Sequence, residues 1–245
     1  MANEPAGRGS TRTAVVWSAL EPVLGQGEPC DVLDIGGGTG GFAVRVGALG
    51  DRVTVVDPSP DALAALDRRA REHDVAVTGR QGDLSCLLDV VDPDSADVVL
   101  CHGVLEVVDD PAAALATLAR VVRPGGVLSL LAAQRHAAVV ARAMAGHFQQ
   151  ALAMLDPTTR PGAVPPTGRT GRRYSHDELT ALVGDAGFVV DTVHAVRVFT
   201  DLVPGSLLDL EPGASAALVE LEQAVAARPE YLPLATQLHL LAHRA

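Results

Sequence analysis

The chain has 245 residues, 48% of them hydrophobic and 20% charged, enough apolar material to bury a sizeable core as one domain or one domain with an insert. Its 30 acids outnumber 19 basic residues, all arginine, and the net charge of -11 argues against a broad nucleic-acid-binding surface. No apolar stretch reaches the roughly 18 to 20 residues of a membrane span, the opening MANEPAGRGS lacks the apolar region of a signal peptide, and Cys30, Cys86 and Cys101 show no CxxC spacing. A cytoplasmic protein with no membrane partner, no disulfide framework and no metal is expected.

In chain order, residues 1–11 read as a disordered tail and Arg12 to Leu20 as an N-terminal helix carrying Arg12 and Trp17. Val32 to Ile35 is strand one, followed by the glycine run GGGTGG and a short helix closed by Gly50. Arg52 to Asp57 is strand two, and the helix after it turns Leu63 and Leu66 inward and its arginines to water. VAVTGRQGD gives strand three and ADVVLCHG strand four; a helix with Pro111 in its first turn follows, and RPGG reads as a turn feeding strand five. Repeated strand–helix alternation specifies an α/β fold, a doubly wound, mostly parallel sheet.

After strand five the rhythm changes, and 134–175 reads as a helical and loop insert over the active site. QRHAAVVARAMAGHFQQALAML is helical in pattern, whereas DPTTRPGAVPPTGRTGRR is too rich in Pro, Gly and Arg to pack as a regular element. Ser175 and Glu178 form a capping-box pattern ahead of the next helix. FVVDTVHAVRVF and LATQLHLLAHR, joined by the helix ASAALVELEQAVAA, complete seven strands with an antiparallel edge in a single domain, 1–245. Charge is uneven: Arg120 to His176 holds eight arginines against one acid, Asp156, so it carries about +7 in a chain of -11.

The glycine run admits two readings. Gly36, Gly38 and Gly41 satisfy G-x-G-x-x-G, with Asp57 about 20 residues on, which suits a dinucleotide and its ribose hydroxyls. Gly36, Gly38 and Gly40 equally satisfy G-x-G-x-G, with Asp34 two residues ahead, where an acid would repel a pyrophosphate but could hold an ammonium group.

LDIGGGTG, the strand-two acid in TVVDPS, GD after strand three and RPGG before strand five, together spanning about residues 30 to 132, resemble the class I S-adenosylmethionine-dependent methyltransferases. A narrower resemblance spans nearly the whole chain. RTAVVWSAL, CHGVLEVVDDP, AGHF, VRVFTDL and RPEYLPLATQLHLLA are similar to the bacterial tRNA 5-carboxymethoxyuridine methyltransferases, which methylate the carboxylate of that wobble nucleoside to its ester. The family's lysine-rich stretch in the insert is replaced here by the Pro/Gly/Arg-rich one.

The resemblance implies S-adenosyl-L-methionine as cofactor and tRNA, or alternatively a small-molecule metabolite, as acceptor. It implies cofactor contacts from Arg12, to the cofactor carboxylate, from Asp34, Gly36, Gly37, Gly38 and Asp57, and from Gln81, Gly82 and Asp83 around the adenine. His102 ends strand four, the ligand side of an open α/β sheet. A carboxylate acceptor is already anionic at pH 7, so no catalytic base is expected and positioning suffices, with Arg172, Arg173 and Arg197 as candidates to grip it. A nicotinamide oxidoreductase would leave Asp34 and RPGG unexplained, and a non-catalytic adaptor would keep the fold alone.

Overall fold

The structure, a computed structural model, describes residues 8–25, 27–155, 171–208 and 211–245. The chain divides into two compact units, one of Ala19–Ala132, Leu179–Thr192 and Leu240–Ala245, the other of Met1–Ser18, Ala133–Glu178 and Val193–His239.

A seven-stranded sheet has the order β3-β2-β1-β4-β5-β7-β6, mostly parallel with an antiparallel edge. Its strands are β1 Asp31–Ile35, β2 Arg52–Asp57, β3 Val77–Gln81, β4 Ala96–His102, β5 Val122–Ala133, β6 Phe188–Val196 and β7 Gln237–Arg244. β1 pairs in parallel with β2 and β4, and those three strands read as near-continuous apolar runs because helices cover both faces. Val53, Val55, Val98, Val99 and Leu100 are almost fully buried among them.

The crossover helices obey local chemistry. α3, Pro60–Glu72, starts where the Ser59 hydroxyl accepts the Ala62 N–H at 3.2 Å, and α5, Pro111–Val121, where Asp110 does the same for Ala113 at 3.0 Å; each has proline at its first position. α2, Ala43–Gly47, ends at Gly47, short of the expected stop at Gly50. Gly47 has no room for a side chain, since a Cβ would lie 2.5 Å from Val75 Cγ1, whereas one on Gly50 would meet nothing; α4 is the short Leu87–Val90.

RPGG does not form a separate turn. It lies within β5, where the pairing jumps from Ala96↔Val122 to Val98↔Val127 and Arg123 to Gly126 bulge out. Arg123 holds the bulge by donating to Asp97 at 2.5 Å and Asp31 at 2.9 Å.

The second unit contains the N-terminal helix α1, Arg8–Leu20, up to Ser18. Residues 8–11 are therefore helical, and the expected tail of 1–11 is too long at its C-terminal end; residues 1–7 lie outside the described residues. The expected single helix after β5 is two, α6 Arg135–Met144 and α7 Phe148–Leu155, packed together and separated by a break at Gly146, whose φ is +77°. Gln134 caps α6 by accepting the Ala137 N–H at 2.9 Å, and its amide donates to the Leu232 and Pro233 carbonyls. Residues 156–170 of the expected loop lie outside the described residues. Ser175 and Glu178 cap α8, His176–Asp185, reciprocally, and Glu178 also accepts Arg135 at 2.7 Å. The unit is completed by α9 Gly205–Leu208, α10 Ala214–Ala226 and the 3₁₀ turn Pro229–Leu234. Among the described residues, no helix is long and apolar enough to cross a membrane.

Candidate active site

The carboxyl ends of β1, β2, β3 and β4 lie side by side, so Ile35, Asp57, Gln81 and His102 mark one rim of the sheet. The glycine run leaves β1 at this rim through two left-handed residues, Gly36 at φ +66° and Gly38 at φ +55°. A Cβ on Gly36 would lie 2.6 Å from Val104 Cγ2, and one on Gly37 only 2.4 Å from Asp34 Oδ2. At Gly36 and Gly37 the loop is therefore held against the rim with no space for a side chain.

Two carboxylates organise it. Asp57 accepts the Gly38 N–H at 3.0 Å on one oxygen and the Ser59 N–H at 2.9 Å on the other, tying the loop to β2 while each oxygen keeps a further lone pair. Asp34 is only 3% exposed and makes no hydrogen bond among the described residues. Burial, with the Asp57 charge adding to it, pushes its carboxyl up to about 7. A buried, unpaired carboxylate beside open glycine backbone is suited to a cationic group.

At the end of β3, Gln81 is exposed and donates to the Pro58 carbonyl at 3.3 Å, and the Gly82 N–H reaches the Asp57 carbonyl at 3.3 Å. Asp83 accepts both the backbone N–H and the hydroxyl of Ser85, which hold its carboxyl below the ordinary range. On β4 the His102 Nε2 lies 2.8 Å from Ser129 Oγ, and its ring meets Phe42 edge-on at 4.9 Å. Burial pushes the imidazole down to about 4, so it is neutral at pH 7 and a poor base. Cys101 beside it is buried, its thiol pushed up to about 12 by burial, whereas Cys30 and Cys86 are only half-buried.

The remaining candidates belong to the second unit. Arg12 and Arg197, expected at opposite ends of the reaction, share one carboxylate: Asp201 lies 3.7 Å from Arg12 Nη2 and accepts Arg197 Nη2 at 2.7 Å. Arg197 adopts φ +60°, and Gln237 accepts its other guanidinium nitrogen at 3.3 Å. The turn is held by Glu222, 1% exposed, whose carboxylate accepts the N–H groups of Val198, Phe199 and Thr200 and the Thr200 hydroxyl, all within 3.0 Å. Arg172 is exposed and Arg173 half-buried, and the Arg173 carbonyl accepts Arg135 at 3.1 Å.

Sequence reasoning missed Phe42, Val104, Ser129, Asp201 and Glu222. Ser129 and Glu222 carried a signal, each being the one polar residue on an otherwise apolar buried stretch, Leu128 to Leu131 and the Leu218–Glu222–Val225 face of α10. Nothing distinguishes Asp201 in sequence from a surface acid. Cavity size is no guide either: a recess of about 660 Å³ lies at the amino ends of the strands, among Asp31, Arg52, Val77 and Ala96, opposite the glycine loop. Among the described residues, no group of three His, Cys, Asp or Glu side chains is placed to hold a metal ion.

Residues 33–130 match the family described as a methyltransferase domain. The chain is 28% identical, over 97% of its length and 89% of the relative's, to the tRNA 5-carboxymethoxyuridine methyltransferase of Escherichia coli strain K12. It is 40% identical over 42% of its length to the ubiquinone biosynthesis O-methyltransferase of Alkalilimnicola ehrlichii, covering 41% of that protein. Its fold matches an S-adenosylmethionine-dependent methyltransferase structure from Mesorhizobium loti with a TM-score of 0.62 at 19% identity, over 97% of this chain and all of that one. Residues 33–130 are thus a methyltransferase domain, and the fold is that of S-adenosylmethionine-dependent methyltransferases.

Proposed function

We propose that the acceptor is the carboxylate of 5-carboxymethoxyuridine at the tRNA wobble position, which the protein converts to the methyl ester. The observation that carries this reading is the extent of the similarity. The tRNA enzyme matches 97% of the chain, and so most of 134–245, whereas the ubiquinone enzyme matches 42% of it.

The glycine loop fits the cofactor. Asp34, buried and unpaired, takes the ammonium of its amino-acid moiety; Asp57 takes the ribose hydroxyls on its spare lone pairs; Gln81, Gly82 and Asp83 border the adenine, and His102 lines the site. Arg12 serves the cofactor carboxylate, and Arg197, with Arg172 and Arg173, serves the acceptor. The cofactor supplies an electrophilic methyl group on a sulfonium. The chain itself has little proton chemistry to perform, because the acceptor carboxylate is already ionised at pH 7. A neutral His102 agrees with that. The protein's work is to align the acceptor oxygen and exclude water.

The test is methyl transfer by the purified protein to tRNA carrying 5-carboxymethoxyuridine, followed by mass spectrometry of the nucleosides. The ester nucleoside is expected. A small-molecule acceptor is the second reading, favoured by the 40% identity to the ubiquinone enzyme over 42% of the chain and by the charge of -11. No transfer to that tRNA, with turnover of hydroxyl- or carboxylate-bearing metabolites, establishes it instead.

A further inference from the structure

The α6–α7 pair presents an unusual surface. Val140, Met144, Phe148, Leu152 and Leu155 are each about half to three-quarters exposed, at 49, 76, 68, 53 and 56%. Val140 and Met144 are one turn apart on α6, and Phe148, Leu152 and Leu155 share a face of α7. The break between the helices opens a recess of about 280 Å³ bounded by Gly146, His147, Phe148, Gln149 and Gln150. From Gln134 to Leu155 there is no acid, in a chain of net charge -11, and the segment carries Arg135, Arg142, His136 and His147. Arg135 is engaged by Glu178, while Arg142 makes no ion pair among the described residues.

We infer that this surface docks single-stranded RNA, with one unpaired nucleobase of the anticodon loop seated in the recess at the α6–α7 break. The chemistry is complementary at three points. Phe148 offers a ring face on which a base stacks; the Gln149 and Gln150 amides, and His147, offer donors and acceptors to a base edge; Arg142 offers a cation to the backbone. An apolar patch on a segment that holds Arg142 and no acid suits a ligand that is at once aromatic and polyanionic. An anionic membrane surface shares the charge but has no use for two adjacent amides in a recess beside an aromatic ring. The inference rests on the tRNA reading above and extends it from the acceptor nucleoside to a second base of the anticodon loop.

The experiment measures binding of a synthetic anticodon stem-loop bearing 5-carboxymethoxyuridine by fluorescence anisotropy, together with steady-state methyl transfer to it. Wild type, Phe148→Ala, Phe148→Trp, Phe148→Leu and the double variant Q149A/Q150A are compared. Phe148→Ala and Phe148→Leu are expected to weaken binding roughly 5- to 100-fold, the loss of one stacked base, and to raise KM with little change in kcat. Phe148→Trp is expected to restore binding, and the double variant to lose about tenfold. The affinity for S-adenosylhomocysteine stays unchanged throughout. Wild-type transfer with Phe148→Ala binding and turning over like wild type overturns the inference and leaves the tRNA reading standing. No transfer by wild type overturns both. Recovery of binding in Phe148→Leu shows a merely apolar contact and overturns the stacked base. Two further outcomes also overturn it: Phe148-dependent binding to phosphatidylglycerol vesicles without Phe148-dependent RNA binding, or a dimer in sedimentation that Phe148→Ala dissolves.

Discussion

Asp34 has the most to lose from its surroundings. Its carboxyl titrates near 7 in the folded chain and near 3.8 in the unfolded one, so between about pH 4 and 7 the folded protein keeps a proton that the unfolded chain has released. Its contribution to stability is therefore greatest below about pH 4 and is lost as pH rises to 7, on the order of 4 kcal/mol in all. Asp34→Asn removes that cost. It should raise the melting temperature at pH 8 and scarcely change it at pH 4, while weakening the cofactor site, a trade of function against stability. Because an ammonium ligand favours the ionised form, S-adenosylhomocysteine affinity in the wild type should rise toward tenfold per unit between about pH 5 and 7 and level off above. Calorimetry across that range checks it, and a flat profile, or the same slope in Asp34→Asn, would remove the ammonium from Asp34. Asp57→Ala should cost about 1.5 to 3 kcal/mol of the same affinity, the loss of hydrogen bonds to a charged group.

At the scale of elements, the sheet was legible because parallel strands buried on both faces announce themselves as apolar runs; β2 was read to the residue and β4 one residue too long, through Gly103. Three features were not. The α6–α7 break hides inside one continuous helical pattern, since a single left-handed glycine decides it. The bulge in β5 depends on Arg123 reaching Asp97 and Asp31, partners 26 and 92 residues away. The candidate site was legible where chemistry is local, at Asp34, the glycines and Asp57, and hidden where it is assembled, as in Arg12 and Arg197 meeting on Asp201. The Arg197 turn in particular is fixed from a distant helix by Glu222 on α10. Glu222→Gln replaces one acceptor oxygen by an amide that must face N–H donors, so it should destabilise the protein by about 2 to 4 kcal/mol in urea unfolding. Glu222→Gln matching the wild-type midpoint would show that the turn holds itself.

Taken as a whole molecule, a chain of -11 is an awkward partner for a polyanion, yet its charge is arranged so that the sum misleads. The segment Arg120 to His176 is near +7 and the rest near -18. At about 0.1 M salt the Debye length is roughly 10 Å, so RNA bound to the basic segment feels its arginines and is largely screened from distant acids. At about 0.01 M it is roughly 30 Å, and the net negative charge is felt. The proposed tRNA acceptor therefore implies a curved salt dependence. Between about 50 and 300 mM, affinity should fall with a log-log slope of roughly -0.7 per phosphate contact on single-stranded regions, and below about 20 mM the line should flatten as whole-molecule repulsion sets in. Changing Arg172 and Arg173 together to alanine should reduce the slope by about 1.4, two contacts at roughly 0.7 each, and leave S-adenosylhomocysteine affinity unchanged. Transfer to tRNA in single-turnover mode at saturating cofactor should meanwhile be flat from about pH 6 to 9, since the acceptor is ionised and His102 stays neutral throughout. Filter binding across the salt series and quench-flow across the pH series supply both curves. A salt-insensitive affinity would mean that the acceptor is not a polyanion, and a rate rising tenfold per unit from pH 6 to 7 would mean that transfer needs a base this site does not hold.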